Sequence, residues 1–250
     1  NIIIQNITFW DAHGSTEYDT KSAGNGESKA SATALQIEND PGGSGVWVDH
    51  CQFTDGTCVD LSRNYNHDGG FDIKYGRFIT CSWTEFTNHD KVMLVGSNET
   101  AYLTATERQI TLHHNYFHGT TQRMPRTRGT QMHIYNNYYV NIGNSENGGS
   151  FMGPGVNAEF IVENNFFGYK TGNTNIDWQD SAAYRAKVFV SGNNVADNNT
   201  SWYFAGGKTN NGQLVSVKPW TPDYSYSLDP NAGLPTSIPA GSGPTLVFIK

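Results

Sequence analysis

Three arginines, Arg123, Arg126 and Arg128, fall within six residues of a chain whose formal net charge is −7. Each close pair of like charges repels by about 1 kcal/mol in water and by more when desolvated. Such crowding in an acidic chain implies an anion between the guanidinium groups, although a charged surface turn would also show it. Guanidinium forks match carboxylates in two-point contacts. A carboxylated sugar polymer suits the cluster better than nucleic acid, because no stripe of stacking aromatics accompanies a basic groove. Upstream, Asp68 and Asp72 stand four apart with Gly69 and Gly70 between them. The glycines let the backbone fold both carboxylates toward one point. Paired carboxylates with oxygen-only surroundings suit Ca²⁺ better than zinc, but the spacing alone also describes a solvated turn. Lys91 completes the set.

The elements that must position these groups are repetitive. ITLHHNYF (110–117) and MHIYNNYY (132–139) bracket the arginine loop, and their apolar-polar alternation predicts strands. The same eight-residue pattern recurs as IIIQNITF (2–9), VWVDHCQF (46–53), ITCSWTEF (79–86), FIVENNFF (160–167) and VFVSGNNV (188–195). Apolar residues share the first, third and last columns, and one polar column contains Asn115, Asn137, Asn165 and Asn193. From Val46 onward the starts lie 33, 31, 22, 28 and 28 residues apart. A period of this size with loops of varying length predicts a solenoid whose coils stack to bury what one coil alone exposes. An all-β parallel β-helix follows, with long loops on one side and asparagines bonding from coil to coil. An antiparallel sandwich would need hairpin turns of about two to five residues, and those are scarce. Lys91 lies five residues after Phe86, and Arg123 six after Phe117. With coils about 4.8 Å apart, Asp68, Asp72, Lys91 and the arginines should meet over about three coils.

The chain of 250 residues, 36% hydrophobic, is read as one domain over 1–250. Excursions are expected at 11–32 and 54–66, and a further short strand at 34–37. The proline-bearing tail, 218–250, should be irregular and lie along the coils. The chain opens directly in a strand, and solenoid ends need caps, so residues upstream are expected. Negative net charge offers no general attraction to nucleic acid. No apolar run of about 18 residues suggests a membrane span. No signal peptide is visible, which fits a mature secreted protein or a cytoplasmic one equally. Cys51, Cys58 and Cys81 give no disulfide framework and no zinc spacing. Cys81 reads as a small core hydrophobe, and a Cys51–Cys58 pair is left open.

Four motifs in order, VWVDHC (46–51), HDGGFD (67–72), HDKVMLVG (89–96) and LHHNYF (112–117) followed by QRMPRTR (122–128), resemble the pectate lyase family of polysaccharide lyases. The resemblance runs from residue 1 to about Val195. It implies a right-handed parallel β-helix that is secreted and cleaves polygalacturonate by β-elimination with Ca²⁺. The partner implied is this acidic polysaccharide, with no nucleic acid or membrane, and the chain is expected to act as a monomer. By the resemblance, Arg123 corresponds to the base that takes the C5 proton. Lys91 and Arg128 correspond to the residues holding the substrate carboxylate, Arg126 has a supporting role, and Asp68 and Asp72 are calcium ligands. Thr33 stands where the family carries a third acidic ligand. Either Glu38 or Asp40 substitutes, or Ca²⁺ binds mainly together with substrate. Arginine has a reference pKa of about 12.5 or more, so activity should rise toward alkaline pH. Two alternatives are a pectin lyase acting on methyl-esterified polymer without metal, and a non-catalytic polysaccharide-binding β-helix. A hydrolase would need carboxylates around the scissile bond, and none cluster near the arginines.

Overall fold

The computed structural model describes residues 1–10, 33–38, 44–56, 69–96, 108–140, 142, 152–168, 185–195 and 213–245. Three parallel sheets wind these residues into a right-handed parallel β-helix, the hand that parallel crossovers adopt almost without exception. The first sheet stacks Ile2–Gln5, Ser44–Asp49, Arg77–Ser82, Gln109–His113, Gln131–Tyr135, Glu159–Glu163, Lys187–Ser191 and Gln213–Val215. The second runs from Thr8–Trp10 to Asn194–Val195 in seven strands, and the third holds Leu35–Glu38, Phe71–Tyr75, Leu94–Val95, Arg126–Thr127 and Gly153–Pro154.

Register follows the repeat: Ile2, Val46, Ile79, Ile110, Met132, Phe160 and Val188 pair in succession. Leu214 adds an eighth rung that the repeat did not reveal, because its segment lacks the Asn and aromatic columns. Each eight-residue unit is two strands rather than one, bent at a residue in the left-handed region. Asn6, His50, Trp83, His114, Asn136 and Asn164 occupy that corner with φ between 47° and 58°, and Gly192 has φ 64°. Asn and Gly tolerate this conformation best, which accounts for four of the seven positions.

The residue after the corner turns inward. Asn115, Asn137 and Asn165 are fully buried, and each side-chain N–H of one coil donates to the Oδ1 of the next at 3.0 Å, ending on Asn193. Beside this ladder, Phe9, Phe53, Phe86, Phe117, Tyr139 and Phe167 stack ring on ring with centroids 4.6–5.1 Å apart. That spacing is the strand spacing itself, so the coil pitch sets the ring geometry. Cys51 and Cys81 are buried free thiols, and burial pushes both well up from their ordinary value. Cys58 and most of the two expected excursions lie outside the described residues.

The tail corrects one expectation. It is not wholly irregular: Leu234–Gly241 is an α-helix, with Pro235 in the first turn where no backbone N–H is needed, and with Leu234 and Ile238 buried. On either side of this helix the tail crosses the corners of the coils. Asn231 bonds the Gly192 carbonyl, Asp229 exchanges bonds with Asn136, Gly243 N–H donates to Trp83 O at 2.9 Å, and Thr245 bonds the Asn6 side chain.

Ahead of that crossing, the tail docks on the outer face of the first sheet. Lys218 Nζ and Tyr226 Oη donate to Glu163 at 2.9 and 2.7 Å. His133 Nε2 lies 3.3 Å from the Glu163 carboxylate and its Nδ1 2.6 Å from the Tyr224 hydroxyl. Burial pushes the Glu163 carboxyl up, but the bonds from His133, Lys218 and Tyr226 outweigh it and hold the group at about 2 against an ordinary 4.5. A depressed carboxylate stabilises docking above its ordinary value and loses that contribution as pH falls toward its folded value. Burial also holds His133 below its ordinary 6.5, which works in the same direction. Trp220, whose Nε1 donates to Glu159 O, is the reporter. Its fluorescence is expected to change between about pH 4.5 and about 2, and Glu163→Gln should remove that transition.

Candidate active site

The third sheet carries the site. Phe71 and Ile73 point into the core, so Asp72 between them faces outward. Gln36, Asp72, Leu94, Arg126 and Gly153 form one column across five coils. Isolated bridges Gly69–Lys91–Gln122 extend the sheet upstream, and there Gly70, Val92 and Arg123 follow as the next column.

Asp72 is fixed on both oxygens. Oδ1 accepts from Leu94 N–H at 2.8 Å and Oδ2 accepts from the Thr33 hydroxyl at 3.2 Å. The carboxylate lies directly over Gly69, where any Cβ would fall inside it. Gly69 is thus the residue that lets the acid reach back along the strand. Asp68 and Asp40 lie outside the described residues. Glu38 takes Lys74 and Gln36 as its partners, at 3.3 and 3.1 Å, so its carboxylate is engaged away from Asp72. Among the described residues no group of three or more His, Cys, Asp or Glu is placed to hold a metal ion.

Lys91 is half-buried, and its carbonyl is gripped twice, by Gly70 N–H at 3.1 Å and by His89 Nε2 at 3.0 Å. His89 Nδ1 meets buried Asp55 at 2.8 Å. The His89 ring thus bridges buried Asp55 to the backbone of Lys91. The sequence reading quoted His89 within a motif without assigning it.

Arg123 sits in the left-handed region with φ 62°, and its carbonyl accepts from Met93 N–H at 2.9 Å. A non-glycine residue there costs roughly 1–2 kcal/mol. Such conformations persist where the surroundings over-determine them, characteristically at active sites. Arg126 projects from Arg126–Thr127 between Leu94 and Gly153. A Cβ at Gly153 would lie 3.0 Å from Arg126 Cγ, so the bare glycine gives the arginine stem its seat. Arg128 is 9% exposed and donates from Nη1 to Gly96 O at 3.3 Å.

The fold therefore brings Asp72, Lys91, Arg123 and Arg126 together over three successive coils of the third sheet and its extension, at about 4.8 Å per coil and 3.3 Å per residue. Arg128 follows two residues beyond Arg126 and is largely enclosed. Arg108, which the sequence reading passed over, is fully buried behind the same turn. A lone arginine at the start of a strand carries no signal of that.

A family model described as pectate lyase matches residues 1–235. A pectate lyase of Bacillus subtilis is 32% identical over 264 aligned positions, which cover 97% of this chain and 59% of the relative. A pectate trisaccharide-lyase of Thermotoga maritima is 37% identical over 142 positions, 56% of this chain and 33% of that protein. Among solved structures, a pectate lyase bound to a hexasaccharide superposes with a TM-score of 0.72 at 26% identity, over 98% of this chain and 61% of that one. A pectate lyase from Bacillus sp. N165 in complex with trigalacturonate gives 0.70 at 28% identity, over 97% and 67%. The chain thus spans 59% and 33% of the lengths of the two sequence relatives. A β-helix with this register, matched by the family model over residues 1–235, belongs to the pectate lyase family.

Proposed function

We propose that the chain, as one β-helix domain over 1–250, is a secreted, monomeric Ca²⁺-dependent pectate lyase cleaving α-1,4-polygalacturonate by β-elimination. The observation that carries this reading is Arg123, held in a strained backbone conformation one column from Lys91 on the extension of the sheet that carries Asp72.

In the proposed reaction Lys91 and Arg128 hold the uronate carboxylate at the cleavage site, with Arg126 in support. Arg123 takes the proton from C5. The C5 electron pair forms the C4–C5 double bond, the C4–O4 bond breaks, and the leaving oxygen takes a proton from water. Clustered cations disfavour a further positive charge, so they favour the neutral, basic form of Arg123. The same cations stabilise the enolate-like charge that develops on the carboxylate.

The donor chemistry around Asp72 fits calcium in kind: a carboxylate and a hydroxyl, all oxygen. Asp72, Asp68 and Thr33 would hold it. When bound, Ca²⁺ would neutralise the uronate carboxylate and acidify the C5 proton. A threonine contributes no charge where an acid would, so metal affinity should depend on substrate carboxylates completing the shell.

The test is ultraviolet absorbance of the unsaturated uronate on polygalacturonate, with Ca²⁺ and then with EDTA. A rise abolished by EDTA supports the reading. A rise that survives EDTA and is stronger on methyl-esterified pectin transfers the chain to pectin lyases. No rise on either substrate leaves a polysaccharide-binding β-helix. Gly69→Ala gives an independent check. The displaced group is the end of the Asp72 side chain rather than backbone, so Tm should fall only by what its two hydrogen bonds contribute. Calcium affinity measured calorimetrically in the presence of trigalacturonate should fall on the order of tenfold, as for a disturbed metal-ligand setting.

A further inference from the structure

We infer that Arg108 is a positioning residue for the substrate-binding face, acting through Arg128; the inference rests on the assignment of Arg128 to the substrate carboxylate. Among the described residues Arg108 is the largest fully buried side chain, at 1% exposure. Its Nε donates to Lys74 O at 3.0 Å, and its Nη1 donates to Arg128 O at 3.2 Å and Gly129 O at 3.3 Å. The guanidinium stands 5.4 Å from the centre of the Tyr75 ring.

These partners belong to different coils. Lys74 lies two residues after Asp72 on Phe71–Tyr75, and Arg128 and Gly129 follow Arg126–Thr127. Leu94–Val95 separates the two strands. Arg108 thus ties the coil that bears the acid to the coil that bears the cations, across the coil between them. A polyuronate presents carboxylates at a fixed repeat, so the separation of the acidic and cationic coils decides whether both engage one chain. Three bonds from one planar fork set that separation, and a lysine's single ammonium cannot reproduce them. The Arg128 carbonyl has one more anchor, the Thr130 hydroxyl at 2.8 Å.

The experiment is a double-mutant cycle on the full chain with Ca²⁺: wild type, Arg108→Lys, Arg128→Ala and the double variant. It reads kcat/KM on polygalacturonate, trigalacturonate binding by calorimetry, and Tm. Misplacement of a binding group by about an ångström can cost up to about 100-fold. Arg108→Lys is therefore expected to lower kcat/KM by about 10- to 100-fold in the wild-type background, and to have almost no further effect once Arg128 is alanine. Equal losses in both backgrounds would overturn the inference, since general loosening of the fold adds independently. If Arg108→Lys does not fold, Thr130→Val removes the second anchor with little change of shape. It should cost a few-fold in the wild-type background and nothing beside Arg128→Ala, and additivity there overturns the inference equally. If the wild-type chain shows no lyase activity, the functional reading fails by itself, and the binding arm of the same cycle still decides the role of Arg108.

Discussion

Replacing Arg123 with glycine is expected to give a protein that is more stable and nearly inactive. Its φ of 62° is one that glycine adopts without cost, so Arg123→Gly should gain about 1 kcal/mol from relieved backbone strain. Turnover of polygalacturonate should fall by about 10² to 10⁴, the usual contribution of a positioned general base. Arg123→Ala separates the two effects: it removes the guanidine, keeps the strained backbone, and should lose the same activity without gaining stability. Arg123→Lys keeps a cation but moves the basic nitrogen, and is expected to recover little. Thermal melts and initial rates on the three variants make the comparison. Loss of less than tenfold in the alanine variant, with KM raised and kcat intact, would reassign Arg123 to substrate binding.

The second large effect concerns stability. Asn137 is fully buried at the centre of the ladder. Its Nδ2 donates to Leu112 O, Tyr135 O and Asn165 Oδ1 at 3.0, 3.1 and 3.0 Å, and its Oδ1 accepts from Asn115 N and Nδ2 at 2.9 and 3.0 Å. Truncation to alanine leaves polar groups without partners above and below, at about 1–3 kcal/mol for each orphan. Asn137→Ala should therefore cost about 3–5 kcal/mol, a large share of the 5–15 kcal/mol that typically holds a domain together. Asn193 closes the ladder at its half-buried end, bonding Val162 O at 2.9 Å. Water can replace its lost bonds, so Asn193→Ala should cost about 1 kcal/mol. Urea denaturation of both variants tests this gradient. Equal losses would mean that the ladder is not what holds successive coils in register.

Most of the coil stacking was legible because two inward columns, apolar and asparagine, repeat at one offset. A one-residue slip would expose both, so the spacing dictates the register. The bend within each unit was not legible. The inward positions step from the third residue to the sixth across the corner, a phase shift that a reading of each unit as one strand overlooks, and His50, Trp83 and His114 are not residues that announce a left-handed turn. The Gln213–Val215 rung escaped because one apolar triplet without an asparagine has no column to join. The helix in the tail was masked by prolines, one of which sits in the first turn. At the site, side-chain chemistry and motif order pointed to Lys91, Arg123, Arg126 and Asp72, which lie on three neighbouring coils of the third sheet and its extension. His89 and Arg108 were invisible because they act on backbone carbonyls, and Asp55 because it acts through His89. Nothing in a sequence shows which carbonyl lies beside which side chain.

The path of the tail has a consequence for how the molecule comes apart. A solenoid in which each coil touches only its neighbours unzips from its ends, with terminal coils opening at little cost. Here Asp229 and Asn231 bond the corners at Asn136 and Gly192, and fourteen residues after Asn231 Thr245 bonds the corner at Asn6, with Ser242 and Gly243 attached between. Fraying of the first coil must pull on a segment anchored to the last ones. The stack behaves as a closed circuit rather than a zipper, and its first and last rungs should exchange their amide protons as a single cooperative unit.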